Sequence, residues 1–171
     1  LKQGEHRSPF LFMEQRTKKT KPYLYAIKLL AKRDYSVHKM KTKLLDKGFE
    51  EFETNQTVDE LVELNYLREE EYARQRVRGL FYKNYSSSYI IQKLAGEHVY
   101  INQDFIDDLK NEWELDEDDL AKNLIRKKTR NLNDEPEDPY KLKVKIRRLL
   151  ESKGFASNKY ISEIDQAISE L

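Results

Sequence analysis

Cysteine is missing from this chain altogether, so neither a disulfide nor a thiolate zinc site can form, and the composition suits a reducing compartment. Glycine and proline are scarce, five and four residues, and no glycines cluster into a phosphate-cradling loop or a nucleophile elbow. The three histidines, His6, His38 and His98, share no metal-ligand spacing. No apolar run approaches the ~20 residues that span a bilayer, and the first residues lack the apolar core of a signal peptide. A cytoplasmic protein is expected. Because the chain opens on Leu1 rather than Met, it reads as a fragment or a processed form. Carboxylates abound, but on helices this charged they read as surface rather than as a general acid and base. The expectation is therefore no catalytic residue, no cofactor and no metal.

What is present is a thin core and a dense charge, 38% hydrophobic against 37% charged, spread over 171 residues. Two helix-like segments end on the same stop, KLLDKGF at residues 43 to 49 and LLESKGF at 149 to 155. Glycine just past a helix end supplies the left-handed conformation that a Cβ strains. Two identical stops point to one unit used more than once.

Periodic anchors support this. Ala26, Ala73 and Ala121 follow one another at spacings of 47 and 48, each preceded by Tyr25, Tyr72 or Leu120 and followed four positions on by Leu30, Val77 or Ile125. A second triple, Met40/Leu44/Phe49, recurs as Ile90/Leu94/Val99 and as Ile146/Leu150/Phe155, with offsets of four and five. His98 stands where the other two units have Gly48 and Gly154, which predicts a strained or rearranged helix end there. A third amphipathic segment closes each unit: Val58, Leu61 and Val62; Phe105, Ile106 and Leu109; Ile161, Ile164 and Ile168. Ser36, Ser86, Asn102 and Ser157 read as helix caps, and Asp138-Pro139 as a cap followed by a first-turn proline. Thr54 and Thr57 replace expected apolar residues and predict looser packing in the first unit.

These readings predict an all-α fold of three tandem three-helix repeats. Units of ~50 residues are too small to stand alone, so they must stack, giving an elongated, curved rod. The expected divisions are an N-terminal extension over residues 1–21, then repeats over 22–67, 68–115 and 116–171, the last carrying a polar surface loop at 131–138.

Near-neutral overall charge, 32 Lys and Arg against 31 Asp and Glu, conceals alternating blocks. Residues 15 to 47 hold eleven Lys or Arg against two acids, and residues 104 to 119 hold nine acids against one Lys. Each block is either a solvated helix face or a complement to a charged partner, a polyanion for the basic ones. The acidic block either meets a basic partner or pairs with the chain's own basic helices. The stretch RGLFYKNYSSSYI, residues 78 to 90, interleaves aromatics with cations as a base-stacking platform would. Most of these rings read instead as core or inter-unit contacts; Phe81 lies on the buried stripe, leaving Tyr82 and Tyr85 as the surface candidates. The cations chosen as candidate partner- or nucleic-acid-binding residues are Lys28, Lys32, Arg33, Lys39, Lys43, Arg74, Arg78, Lys127, Lys128, Arg130, Arg147 and Arg148.

The segments AIKLLAKRDYSVHKMKTKLLDKGF and ELVELNYLREEEYARQRV resemble the RecX family of bacterial recombination regulators. That pattern runs from a basic helix ending near Arg-x-Tyr-Ser, through a Lys-Gly-Phe stop, to a Gly-Tyr-Leu-acid-acid-x-x-Tyr-Ala junction. Asn65 replaces its glycine here, which a left-handed cap tolerates. The likeness covers residues 22 to 171, is strongest from 25 to 80, and omits 1 to 21. It implies a non-enzymatic protein that binds the RecA recombinase, lies in the groove of its filament on single-stranded DNA, and inhibits strand exchange and ATP hydrolysis; a monomer is expected. Single-stranded DNA phosphates are an additional expected contact. A sequence-independent nucleic-acid binder is the alternative that the charge blocks allow.

Overall fold

The computed structural model describes residues 20–130 and 138–171. The expected N-terminal extension, apart from its last two residues, lies outside them, as does the polar loop expected at 131–138, apart from Asp138. Among the described residues there are nine α-helices, one 3-10 turn and no strand. The all-helical expectation is correct. The chain divides into two compact units between Glu69 and Glu70.

Unit 1 holds α1 (Lys21–Leu30), α2 (Val37–Asp46) and α3 (Glu51–Glu63). Their core is Tyr23, Ala26, Tyr35, Met40, Leu44, Val58, Leu61 and Leu67. α1 begins where the Thr20 hydroxyl accepts from the Tyr23 amide and Pro22 occupies the first turn. α2 begins on Ser36, whose hydroxyl accepts from the Lys39 amide at 3.2 Å. The Glu69 carboxylate adds a second cap from 32 residues away, accepting from the Val37 amide at 2.7 Å. An anion at a helix N-terminus meets the unpaired N–H groups and the positive end of the helix dipole.

α3 departs from expectation. Its inward face is Thr54, Thr57, Val58 and Leu61, while Val62 is 43% exposed. One residue advances a helix by about 100°, so position 62 turns off a stripe already filled by 54, 57, 58 and 61. Thr54 is fully buried and its hydroxyl has no hydrogen-bond partner.

Unit 2 contains α4 from Glu70 onward (Glu69–Tyr82 in full), α5 (Ser87–Gly96), α6 (Gln103–Glu112), α7 (Glu117–Arg130), α8 (Pro139–Ser152) and α9 (Ile161–Ser169), with a 3-10 turn at Ser157–Tyr160. It has two cores. Tyr72, Ala73, Val77, Leu80, Phe81, Ile90, Leu94, Val99, Ile106 and Leu109 form one; Ala121, Leu124, Ile125, Leu142, Ile146, Leu150, Phe155, Tyr160 and Ile164 form the other. The helices thus fall into three groups of three, each around its own anchors.

The recurring triple has a mechanical meaning. Phe49, Val99 and Phe155 donate their amides to the carbonyls of Leu44, Leu94 and Leu150 at 3.3, 2.9 and 3.0 Å. Gly48, His98 and Gly154 donate to Leu45, Ala95 and Glu151 at 2.9, 3.0 and 3.0 Å. This is the Schellman pair of bonds, in which the residue after the left-handed position packs on the one five earlier. His98 adopts φ 58° and keeps the same bonds, so the predicted rearrangement does not occur and only the left-handed conformation remains. Asn65, at φ 61°, takes the glycine role foreseen for it.

Asn102 and Asp138 cap α6 and α8 as expected, accepting from Phe105 and Tyr140 amides. Ser157 does not cap α9. It opens the 3-10 turn, donates to Glu151 at 2.7 Å and accepts from Arg147, so α9 starts only at Ile161. That delay leaves Ile161 exposed while Ile164 is buried.

The second and third helix groups interlock within unit 2. The Ser86 amide donates to the Lys153 carbonyl at 2.9 Å, and the Ser86 hydroxyl to the Gly154 carbonyl at 2.9 Å. Glu117 accepts from the Ser87 amide at 3.0 Å and from the Ser87 hydroxyl. Glu69 and Glu117 therefore play one role: each opens the helix that starts the next group and caps the second helix of the group before it.

Candidate partner-binding surface

Each candidate cation sits where local helix physics puts it. In unit 1, Lys28 and Lys43 lie in the last turns of α1 and α2, and Lys32 just beyond α1. Cations there face the negative end of the helix dipole, which gives them a structural reason as well as an exposed charge. All three are exposed and form no ion pair among the described residues. Arg33 instead donates through Nε to the Tyr35 hydroxyl at 2.9 Å. Lys39 is half-buried and in contact with a partner.

Unit 2 separates its candidates more sharply. Arg74 is clamped to Glu112 at 2.6 Å, which also holds the Glu112 carboxyl below its ordinary range. Arg78 lies 5.9 Å from the centre of the Trp113 ring. Arg147 donates to Ser157 at 3.3 Å and to Asn158 at 3.0 Å. These arginines hold helices together. Lys127, Lys128 and Arg130, in the last turn of α7, and Arg148 on α8 form no ion pair among the described residues.

The acidic stretch is mostly turned inward on the chain's own cations. Asp107 pairs with Lys110 at 2.9 Å, Glu112 with Arg74, and Glu117 caps Ser87. Asp118 accepts from Lys159 at 2.6 Å and from the Tyr160 hydroxyl at 2.8 Å. The Lys159 hydrogen bond depresses the Asp118 carboxyl, and burial together with Asp118 pushes the Tyr160 phenol well above its ordinary range. Glu117 and Asp119 also lie 3.8 and 4.0 Å from Lys110 and Lys122, so self-pairing accounts for five of the nine carboxylates of that block.

The aromatic platform is also reduced. Tyr85 stacks on Tyr89 with centroids 4.5 Å apart, and the Lys153 ammonium covers its ring at 3.9 Å. Phe81 is core. Tyr82, 89% exposed, is the ring left facing solvent. No group of three His, Cys, Asp or Glu able to hold a metal occurs among the described residues, and no helix there is long and apolar enough to cross a membrane. Sequence reasoning missed Glu69 and Glu117, whose targets lie 32 and 30 residues away.

Recurring three-helix groups without a strand among the described residues define a class of all-helical repeat proteins, and comparison makes the class specific. Residues 23–61 match the family model described as the first three-helix domain of RecX. The chain is 31% identical over 146 residues to Regulatory protein RecX of Haemophilus influenzae strain PittEE, covering 85% of this chain and 94% of that one. It is 30% identical over 131 residues to the Vibrio parahaemolyticus protein of the same name, covering 77% and 81%. A crystal structure of regulatory protein RecX superposes with a TM-score of 0.67 at 22% identity, covering 97% of this chain and 81% of that one, which shows a shared fold. The chain belongs to the RecX family.

Proposed function

We propose that this protein restrains homologous recombination by binding the RecA filament on single-stranded DNA, inhibiting strand exchange and ATP hydrolysis. Membership in the RecX family carries the reading. Cations that form no ion pair among the described residues, exposed Lys28, Lys32 and Lys43 in one unit and exposed Lys127, Arg130 and Arg148 with half-buried Lys128 in the other, supply charges that a filament groove and its DNA phosphates attract. Arg74, Arg78 and Arg147 contribute by fixing the helices that present them, and Arg33 by its bond to Tyr35. The protein would act as a monomer along that groove, in the cytoplasm, with no catalytic step of its own.

The test is the ATPase rate of RecA on single-stranded DNA with increasing amounts of this protein. The rate should fall below one regulator per RecA protomer; a rate unchanged at equimolar protein would refute the proposal. Sequence-independent binding to nucleic acid is the second reading, favoured by the same unpaired cations and by exposed Tyr82.

A further inference from the structure

Lys47-Gly48-Phe49 and Lys153-Gly154-Phe155 are the same turn twice, with Gly48 at φ 92° and Gly154 at φ 87°. The second turn is docked. Its two carbonyls, of Lys153 and Gly154, accept from the amide and hydroxyl of Ser86, which caps α5. The Lys153 ammonium lies 3.9 Å over the Tyr85 ring. A Cβ on Gly154 would lie 2.3 Å from the Ser86 hydroxyl oxygen and 2.6 Å from the Tyr89 Cβ, so glycine is what lets the helix N-terminus come this close. Among the described residues the first turn has no such occupant. A Cβ on Gly48 would meet nothing within 4 Å, Lys47 and Gly48 are both exposed, and the Lys47 ammonium stands 5.7 Å from Tyr25 of its own unit, near the limit of a cation–ring contact.

We propose that the Lys47-Gly48-Phe49 turn is a docking element for another protein, and that its ligand is a serine-capped helix N-terminus with a tyrosine just before the serine and another three residues after it. The chain's own docked turn defines that chemistry. The serine hydroxyl and amide donate to two helix-end carbonyls, an aromatic ring accepts the lysine, and the two helix dipoles meet head to tail. Among its described residues, a second copy of this chain does not supply the ligand. Ser36 and Ser86 are both buried, and α8 begins on Asp138, whose carboxylate has no proton to give a carbonyl. This inference is independent of whether the partner is a recombinase filament.

The probe is an acetylated peptide of residues 83–92, KNYSSSYIIQ, titrated into the full 15N-labelled chain. Amide shifts should concentrate on Lys47, Gly48 and Phe49. They should vanish with Gly48→Asn, which keeps a left-handed cap as Asn65 and Asn84 already do but adds the obstructing Cβ. They should weaken several-fold with Lys47→Glu and with a peptide carrying Ser86→Ala. Absence of shifts at these three residues, or an identical titration by Gly48→Asn with an unchanged circular dichroism spectrum, would overturn the proposal. A concentration-dependent dimer of the chain alone, lost in Gly48→Asn, would also overturn it by assigning the turn to a second copy.

Discussion

Replacing each of the two turn glycines by alanine should have very different costs, although the local sequence is the same. Gly48→Ala forces a Cβ into the left-handed region, which costs about 1–2 kcal/mol, and meets no neighbour. Gly154→Ala incurs the same backbone cost and adds a methyl 2.3 Å from the Ser86 hydroxyl oxygen and 2.6 Å from the Tyr89 Cβ. Relieving that overlap costs about 1–3 kcal/mol as overpacking. If the turn withdraws instead, the two bonds from Ser86 are lost, each contributing about 1 kcal/mol. Gly154→Ala should therefore lose about 2 kcal/mol more than Gly48→Ala, equivalent to roughly 10 °C in Tm for a unit of about 100 residues. Urea unfolding followed by circular dichroism, with the transition of each unit fitted separately, measures both. Equal losses would refute the idea that one turn is docked and the other free.

Thr54→Val should stabilise unit 1 by about 1 kcal/mol, because it removes a buried, unpartnered hydroxyl at nearly constant volume; a loss of stability in thermal unfolding would show that the hydroxyl is satisfied. Reversing Lys28, Lys32 and Lys43 together to Glu should weaken filament binding by about tenfold at low salt, mainly through the on-rate, with the helical spectrum unchanged; undiminished inhibition would remove that surface from the interface. The Asp107, Glu112 and Asp118 carboxyls are all held below their ordinary range, chiefly by hydrogen bonds from Lys110, Arg74 and Lys159. Their contribution is complete above the unfolded values and is lost as pH falls through the folded ones, so stability should decline below about pH 4, and Lys159→Met should flatten that decline.

Short-range physics was legible in the sequence. Leu44 and Phe49, or Leu150 and Phe155, recur at an offset of five because a single amide-to-carbonyl bond joins them, and Ser36, Ser86, Asn102 and Asp138 announced helix starts by their own side chains. Phase errors entered where a local rule ran past its reach. Val62 turns outward despite its hydrophobicity because Thr54 and Thr57 share the inward face with Val58 and Leu61, and the 3-10 turn from Ser157 displaces the start of α9. Contacts across tens of residues left no local mark. Glu69 on Val37, Glu117 on Ser87 and Arg74 on Glu112 each depend on how helices meet. The same limit affected the candidate surface: charge density selected twelve cations, and only packing separates Arg74 and Arg147, which brace helices, from Lys28 or Arg148, which face water.

The proposed function is tested most directly by measuring affinity for bare single-stranded DNA and for preformed RecA filaments on the same DNA across a salt series. The filament should bind clearly tighter at every salt concentration, with a difference that persists as salt rises. Equal affinities, falling together with the steep salt slope of phosphate neutralisation, would contradict a filament partner and leave a sequence-independent nucleic-acid binder in its place.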